Sequence, residues 1–158
     1  IFNNHSDRVT MANIAQVVNV LQSVVLTDGA DIVKTPTFYV FKMFCPHHDA
    51  TLVKAQLDIP AVEFGDTSLP ALTYSVSEGA DGSLFATVSN CSLEEDFELE
   101  VNGEITSAQI ITSEKATDYN DFGKPEKVTL KDYDGFKASD GGSVITLPKC
   151  SVVSFKLE

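Results

Sequence analysis

From about residue 50 onward the chain is a series of short β-branched or alternating runs separated by glycine turns, and that pattern leaves few folds open. Residues 51–57, 72–77, 84–88, 97–101 and 151–157 each read as a strand. Period-two alternation places apolar side chains on one face of a pleated backbone, and β-branched residues fit that surface. Between the runs stand Ala80-Asp81-Gly82, Asn102-Gly103 and Asp140-Gly141-Gly142, each with a residue that tolerates the positive φ of a tight turn. Short strands punctuated in this way predict a mainly β fold, an antiparallel β-sandwich of jelly-roll type.

The first fifty residues have a different texture. Residues 9–16, Val-Thr-Met-Ala-Asn-Ile-Ala-Gln, resemble a buried strand that ends in amides, and buried amides need partners. Thr35 before Pro36 predicts a helix over residues 36–45, with the Thr hydroxyl capping free N–H groups and Pro at the first helical position. Pro46 disfavours helical geometry at Cys45 and so stops it. Strand, loop and helix in this order match the last unit of a (β/α)8 TIM barrel, where polar groups at the strand's C-terminal end meet substrate. The division predicted is a barrel end over residues 1–49 and a β-sandwich over residues 50–158. A first residue of Ile1, with helix-like sequence directly after it, reads as a cut through something larger.

With 158 residues, 43% of them hydrophobic, the chain can bury a core of ordinary size. Eleven basic residues against 23 acidic ones give a formal charge of −12, which disfavours nucleic acid and anionic membrane surfaces as partners. A neutral sugar is compatible with that charge. The longest apolar stretch, residues 17–26, is broken by Asn19, Gln22 and Ser23 and falls short of the roughly 18 residues a membrane helix requires. Cys45, Cys91 and Cys150 are odd in number and widely spaced, without a CxxC pair, and read as buried free thiols.

A more specific signal lies in Phe2-Asn3-Asn4-His5-Ser6-Asp7-Arg8-Val9 and in Met11-Ala12-Asn13-Ile14-Ala15-Gln16-Val17-Val18-Asn19-Val20-Leu21-Gln22. Together with Leu26-Thr27-Asp28-Gly29 and Thr35-Pro36-Thr37-Phe38-Tyr39-Val40-Phe41, this block resembles the family 51 α-L-arabinofuranosidases. The likeness is dense over residues 1 to about 50. Beyond them it rests on strand texture and on the closing Leu147-Pro148-Lys149-Cys150-Ser151-Val152-Val153. The resemblance implies a glycoside hydrolase that removes terminal arabinofuranosyl groups from arabinan, arabinoxylan or their oligosaccharides with retention of configuration. Retention needs two carboxylates about 5–5.5 Å apart. In the family both are glutamates at the ends of earlier barrel strands, so the resemblance places no catalytic residue in these 158 positions and implies that the piece alone is inactive.

The family's Ala-Gln-x-Val-Asn pattern carries over onto Gln16 as a substrate-binding residue, and Asn19 in the following loop is the second candidate. A glutamine amide offers both a donor and an acceptor to a neutral diol without adding charge. The resemblance implies no cofactor or metal, a cytoplasmic location, and a homo-oligomer in the full-length enzyme.

Competing motifs read as ordinary structure. His47-His48-Asp49 and the distant His5 lack metal-ligand spacing, and the pair is placed to favour the negative end of the helix dipole. His5 lies in the block that carries the resemblance and reads as a brace of the barrel rim. Glu63, Glu78, Glu94 and Glu95 read as solvated surface charges. Residues 94–96 and 118–121 lack the order of a calcium loop, and the Asn4 and Asn90 glycosylation triplets are short enough to arise by chance. The rival reading is a free-standing carbohydrate-binding or structural β-sandwich module, against which stand the absence of Trp and a count of only four Tyr.

Overall fold

Ser151–Leu157 carries buried side chains on both faces, as a strand at the centre of a sheet must, and the fold is arranged around it. The computed structural model describes residues 1–158, the side chain of Phe64 excepted. Its leading part holds the strands β1 (Val25–Asp28) and β2 (Asp31–Lys34), followed by helix α1 (Pro36–Met43). Then come β3 (Thr51–Leu52), β4 (Ala61–Phe64), β5 (Thr67–Pro70), β6 (Leu72–Glu78), β7 (Leu84–Asn90) and β8 (Phe97–Val101). The chain closes with β9 (Ile105–Thr112), β10 (Leu130–Asp132), β11 (Phe136–Ser139), β12 (Gly142–Leu147) and β13 (Ser151–Leu157).

Six strands form one antiparallel sheet in the order β10-β9-β13-β7-β6-β3, and three form a second in the order β11-β12-β8. Alternation decides what lies between them. Ala86 and Val88 of β7, Ala108 and Ile110 of β9, and Val153 and Phe155 of β13 meet Leu99 of β8 and Ile145 and Leu147 of β12 in one core. Ile145, Leu147 and Val153 are 0% exposed, and burying side chains of this size contributes about 1.5–3 kcal/mol each. The architecture is the antiparallel β-sandwich expected.

Three turns expected to need positive φ have it, at Gly82, Gly103 and Gly141. Gly142 is required for a different reason: a Cβ there would lie 2.0 Å from the Val101 carbonyl oxygen, where β12 meets β8. The runs expected at 97–101 and 151–157 have those bounds, and β6 and β7 each extend slightly beyond theirs. The run expected over 51–57 shortens to Thr51–Leu52, with one further bond from Val53 N–H to the Val76 carbonyl (3.0 Å).

The outer face of the large sheet divides into two halves. Ile111 and Val152 join Met43, Val128, Tyr39, Val40 and Leu130 in a second, smaller core, which seats α1 on the sheet. Beside it lies a buried polar seam of Ser75, Ser77, Thr87 and Ser154. Helix α1 ends at Met43, is capped by Phe44 and passes into a single 3-10 turn, Cys45–His47, so it occupies nearly the span expected.

Three local expectations are corrected. Residues 9–16 hold no strand and are mostly exposed, Met11 at 75%. A barrel strand is buried by parallel neighbours on either side, and among the described residues none pairs with this segment. Thr35 does sit at the helix N-cap, with extended backbone, but its hydroxyl donates to the carbonyls of Ser23 (2.7 Å) and Val24 (3.0 Å) and caps nothing. The thiols of Cys45, Cys91 and Cys150 are free, yet Cys45 and Cys91 are exposed and Cys150 is only half-buried.

Candidate functional site

Gln16 lies exposed at the end of the irregular leading segment, and the loop after it is tied down residue by residue. The Val17 carbonyl accepts from Val24 N–H (2.9 Å) and Val25 N–H (3.1 Å), so the backbone next to Gln16 is anchored to the start of β1. Asn19 adopts a left-handed conformation (φ 54°), which an Asn tolerates better than most side chains. Its Nδ2 donates to the Thr27 carbonyl (3.1 Å) and hydroxyl (3.0 Å), and its Oδ1 accepts from Thr27 N–H (2.8 Å). Both amide hydrogens are therefore committed to β1, and one lone pair on Oδ1 remains.

That loop and the hairpin after it are held from two further sides. Thr35 grips Ser23 and Val24 as described above. Asn120, only 2% exposed, donates from Nδ2 to the Lys34 carbonyl (2.8 Å) and the Val128 carbonyl (2.7 Å), while its Oδ1 accepts from Val128 N–H (2.7 Å). An isolated Asn in a polar loop has no periodicity to mark it, and this clamp went unseen in the sequence. Asn90 is a second such clamp, donating to the carbonyls of Glu95 and Leu147 (both 2.9 Å). At 3% exposure its amide is closed to a glycan.

Between the leading segment, α1 and the outer face of the large sheet runs a cleft of about 910 Å³, whose walls include Phe2, Met11, Phe44 and Ser75. Gln16 and Asn19 are not among its walls. His47 closes the polar seam: its ring nitrogens lie 2.7 Å from the Ser77 hydroxyl and 2.8 Å from the Thr87 hydroxyl. Thr87 donates to Ser154 (3.2 Å), so it accepts from Nε2–H of His47, and Nδ1 accepts from Ser77. Burial, with a smaller repulsion from His48, pushes the His47 pKa below its ordinary value. The imidazole is a neutral tie between the 3-10 turn and the sheet, in place of the cation expected at the helix end.

No Asp or Glu is among the buried side chains of the described residues, and Glu63, Glu78, Glu94 and Glu95 are exposed. Asp81 is held below the usual carboxylate range by the Ser83 N–H and hydroxyl. Asp118 is held below it chiefly by the Ser113 hydroxyl, then by Lys115 N–H and Lys127. A general acid needs the opposite environment, one that keeps its proton on. In the segment 118–121, Asp121 accepts from Gly123 N–H and Lys124 N–H (both 2.8 Å), an ordinary Asx turn. Among the described residues no three His, Cys, Asp or Glu side chains form a metal cluster, and His5 faces the Arg8 guanidinium (3.4 Å). No helix is long and apolar enough to cross a membrane.

Two antiparallel sheets face to face, with α1 and an irregular leading segment on the outer face of the larger, put the molecule in the class of β-sandwich domains. A family model described as the α-L-arabinofuranosidase C-terminal domain matches residues 1–151, and the chain belongs to that family. It is 37% identical to an intracellular exo-α-L-arabinofuranosidase of Bacteroides ovatus, over all of this chain and 32% of that protein. The GH51 arabinofuranosidase of Xanthomonas axonopodis pv. citri superposes with a TM-score of 0.92 at 34% identity, over 99% of this chain and 33% of that one. AbfB, a family 51 α-L-arabinofuranosidase of Bifidobacterium longum, shares the fold at a TM-score of 0.86 and 21% identity, over 99% of this chain and 32% of that one. The chain thus spans about a third of the length of the relatives it matches.

Proposed function

We propose that the chain is the C-terminal part of a retaining α-L-arabinofuranosidase, which releases terminal arabinofuranosyl groups from arabinan, arabinoxylan or their oligosaccharides. The observation that carries this reading is the 34% identity and TM-score of 0.92 to a GH51 arabinofuranosidase across 99% of the chain. The two catalytic glutamates lie on the part of the enzyme outside these residues, and this part supplies support and one substrate-facing amide.

In this reading Gln16 presents its amide to the sugar hydroxyls as donor and acceptor. Asn19 fixes the loop behind it through Thr27 and keeps one carbonyl lone pair for the substrate side. Residues 1–49 complete the catalytic barrel, and residues 50–158 cover it as a sandwich. The full-length enzyme is a cytoplasmic homo-oligomer without a cofactor, the compartment being supported by the intracellular relative in Bacteroides ovatus.

The test is Gln16→Ala in the full-length enzyme, assayed on an aryl α-L-arabinofuranoside. Losing hydrogen bonds in a desolvated site lowers kcat/KM by the equivalent of about 1–3 kcal/mol. An unchanged kcat/KM in a folded variant removes Gln16 from the site.

A further inference from the structure

Where the leading segment crosses β6, a small cavity of about 70 Å³ is lined by Asn3, Ser6, His47, Ser75 and Ser77, together with Ala50 and Leu52. Ser75 is 6% exposed, and its Oγ has no hydrogen-bond partner in the protein. An orphaned buried hydroxyl costs free energy comparable to a lost hydrogen bond, so such groups in folded proteins are normally answered by a neighbour or by ordered water. Ser77 and His47 do not answer it directly: they are hydrogen-bonded to each other, and His47 also reaches Thr87.

The size and chemistry of the cavity decide what fills it. A water molecule takes about 30 Å³ in the liquid and needs two to four polar partners in a protein interior, so there is room here for about two. The walls offer hydroxyls from Ser6, Ser75 and Ser77 and the amide of Asn3. No carboxylate, Lys or Arg lines the cavity, which leaves an ion without a counter-charge. An apolar occupant would leave the Ser75 hydroxyl unpaired.

We infer that this half-open cavity is a hydration site, in which one or two waters bridge the Ser75 hydroxyl of β6 to the Asn3–His5 turn and Ser6. The waters extend the direct tie beside them, where Asn4 Nδ2 donates to the Tyr74 carbonyl (2.7 Å). The leading segment is then seated on the sheet partly through solvent. This inference stands on the residues of the cavity alone and does not depend on the arabinofuranosidase reading.

The experiment pairs a high-resolution crystal structure of the full-length protein with thermal unfolding of Ser75→Ala. Density for a water about 2.6–3.2 Å from Ser75 Oγ is expected, with a second contact to Asn3, Ser6 or Ser77. The variant should lose that density and melt below the wild type, because a satisfied bond is removed. A dry site predicts the opposite sign, since deleting an orphaned hydroxyl relieves its desolvation. An empty cavity in the wild-type density, or a midpoint that stays or rises in Ser75→Ala, overturns the inference.

Discussion

Ile145, Leu147 and Val153 of the sandwich are 0% exposed, whereas Met11, Val17 and Leu21 of the leading segment are 75%, 53% and 97% exposed. The contrast separates two ways of holding a chain in place. The sandwich brings its own core, with apolar side chains from two sheets interdigitated. The leading segment has no comparable core among the described residues. It is held by side chains that grip backbone: Asn4 on Tyr74, Asn19 on Thr27, Thr35 on Ser23 and Val24, and Asn120 on Lys34. The region that carries the candidate substrate residue is therefore positioned by polar clamps, Asn19 and Thr35 bracing it internally and Asn4 and Asn120 tying it to the sandwich, a division suited to presenting an amide at a defined place.

The strongest attempt to break this contrast is a pair of truncations. Ile145→Ala should cost about 2–5 kcal/mol in urea unfolding, because the cavity left between two sheets relaxes little. Leu21→Ala, at an exposed position, should stay within about 0.5 kcal/mol. Equal losses would show that the leading segment has a core of its own.

Asn120→Ala probes the clamps. It leaves the buried Val128 N–H and carbonyl without their partner and releases the Lys34 carbonyl, at a cost of about 1–3 kcal/mol. Cleavage by a protease within residues 17–35 should become faster, while the sandwich strands stay protected. Faster cleavage spread evenly over both regions would count against a local clamp.

A subtler test uses pH. The folded state lowers the His47 pKa below its unfolded value of about 6.5, so above that pH both states are neutral and His47 carries no penalty. As pH falls below about 6.5 the unfolded chain takes up the proton first, and stability declines down to the folded pKa. His47→Gln should flatten this part of the stability profile between pH 7 and acid. The same slope in the variant would show that another group carries it.

The smallest effect is expected on the sandwich surface. Lys137 and Glu98 lie 4.0 Å apart with side chains 72% and 67% exposed, and Lys137→Ala should change stability by less than about 0.5 kcal/mol.

How much of this was legible in the sequence follows the same division. Phe97–Val101 could be read because its apolar and acidic side chains alternate, and Ser151–Leu157 because Val152, Val153, Phe155 and Leu157 make it rich in β-branched and apolar residues. Ile105–Thr112 escaped because its small residues, and the adjacent Ile110 and Ile111 that serve two different cores, blur the period. The hairpin of β4 and β5 escaped because β5 is exposed at every position and shows no apolar face. Residues 9–16 misled for the converse reason: their apolar content suits a strand, but a strand needs neighbours that composition does not reveal. Gln16 was reached only through resemblance, since no spacing or periodicity marks a single glutamine, and the hydrogen bonds of His47 depend on contacts 30 and 40 residues away.

The central claim is that these residues support arabinofuranoside hydrolysis without performing it. The direct measurement is release of the aryl group from an aryl α-L-arabinofuranoside by purified residues 1–158, set beside the full-length enzyme at equal molarity. The account predicts turnover by the full-length enzyme and none above buffer by the 158 residues alone. Hydrolysis by the purified piece would place the catalytic pair within it and contradict the account.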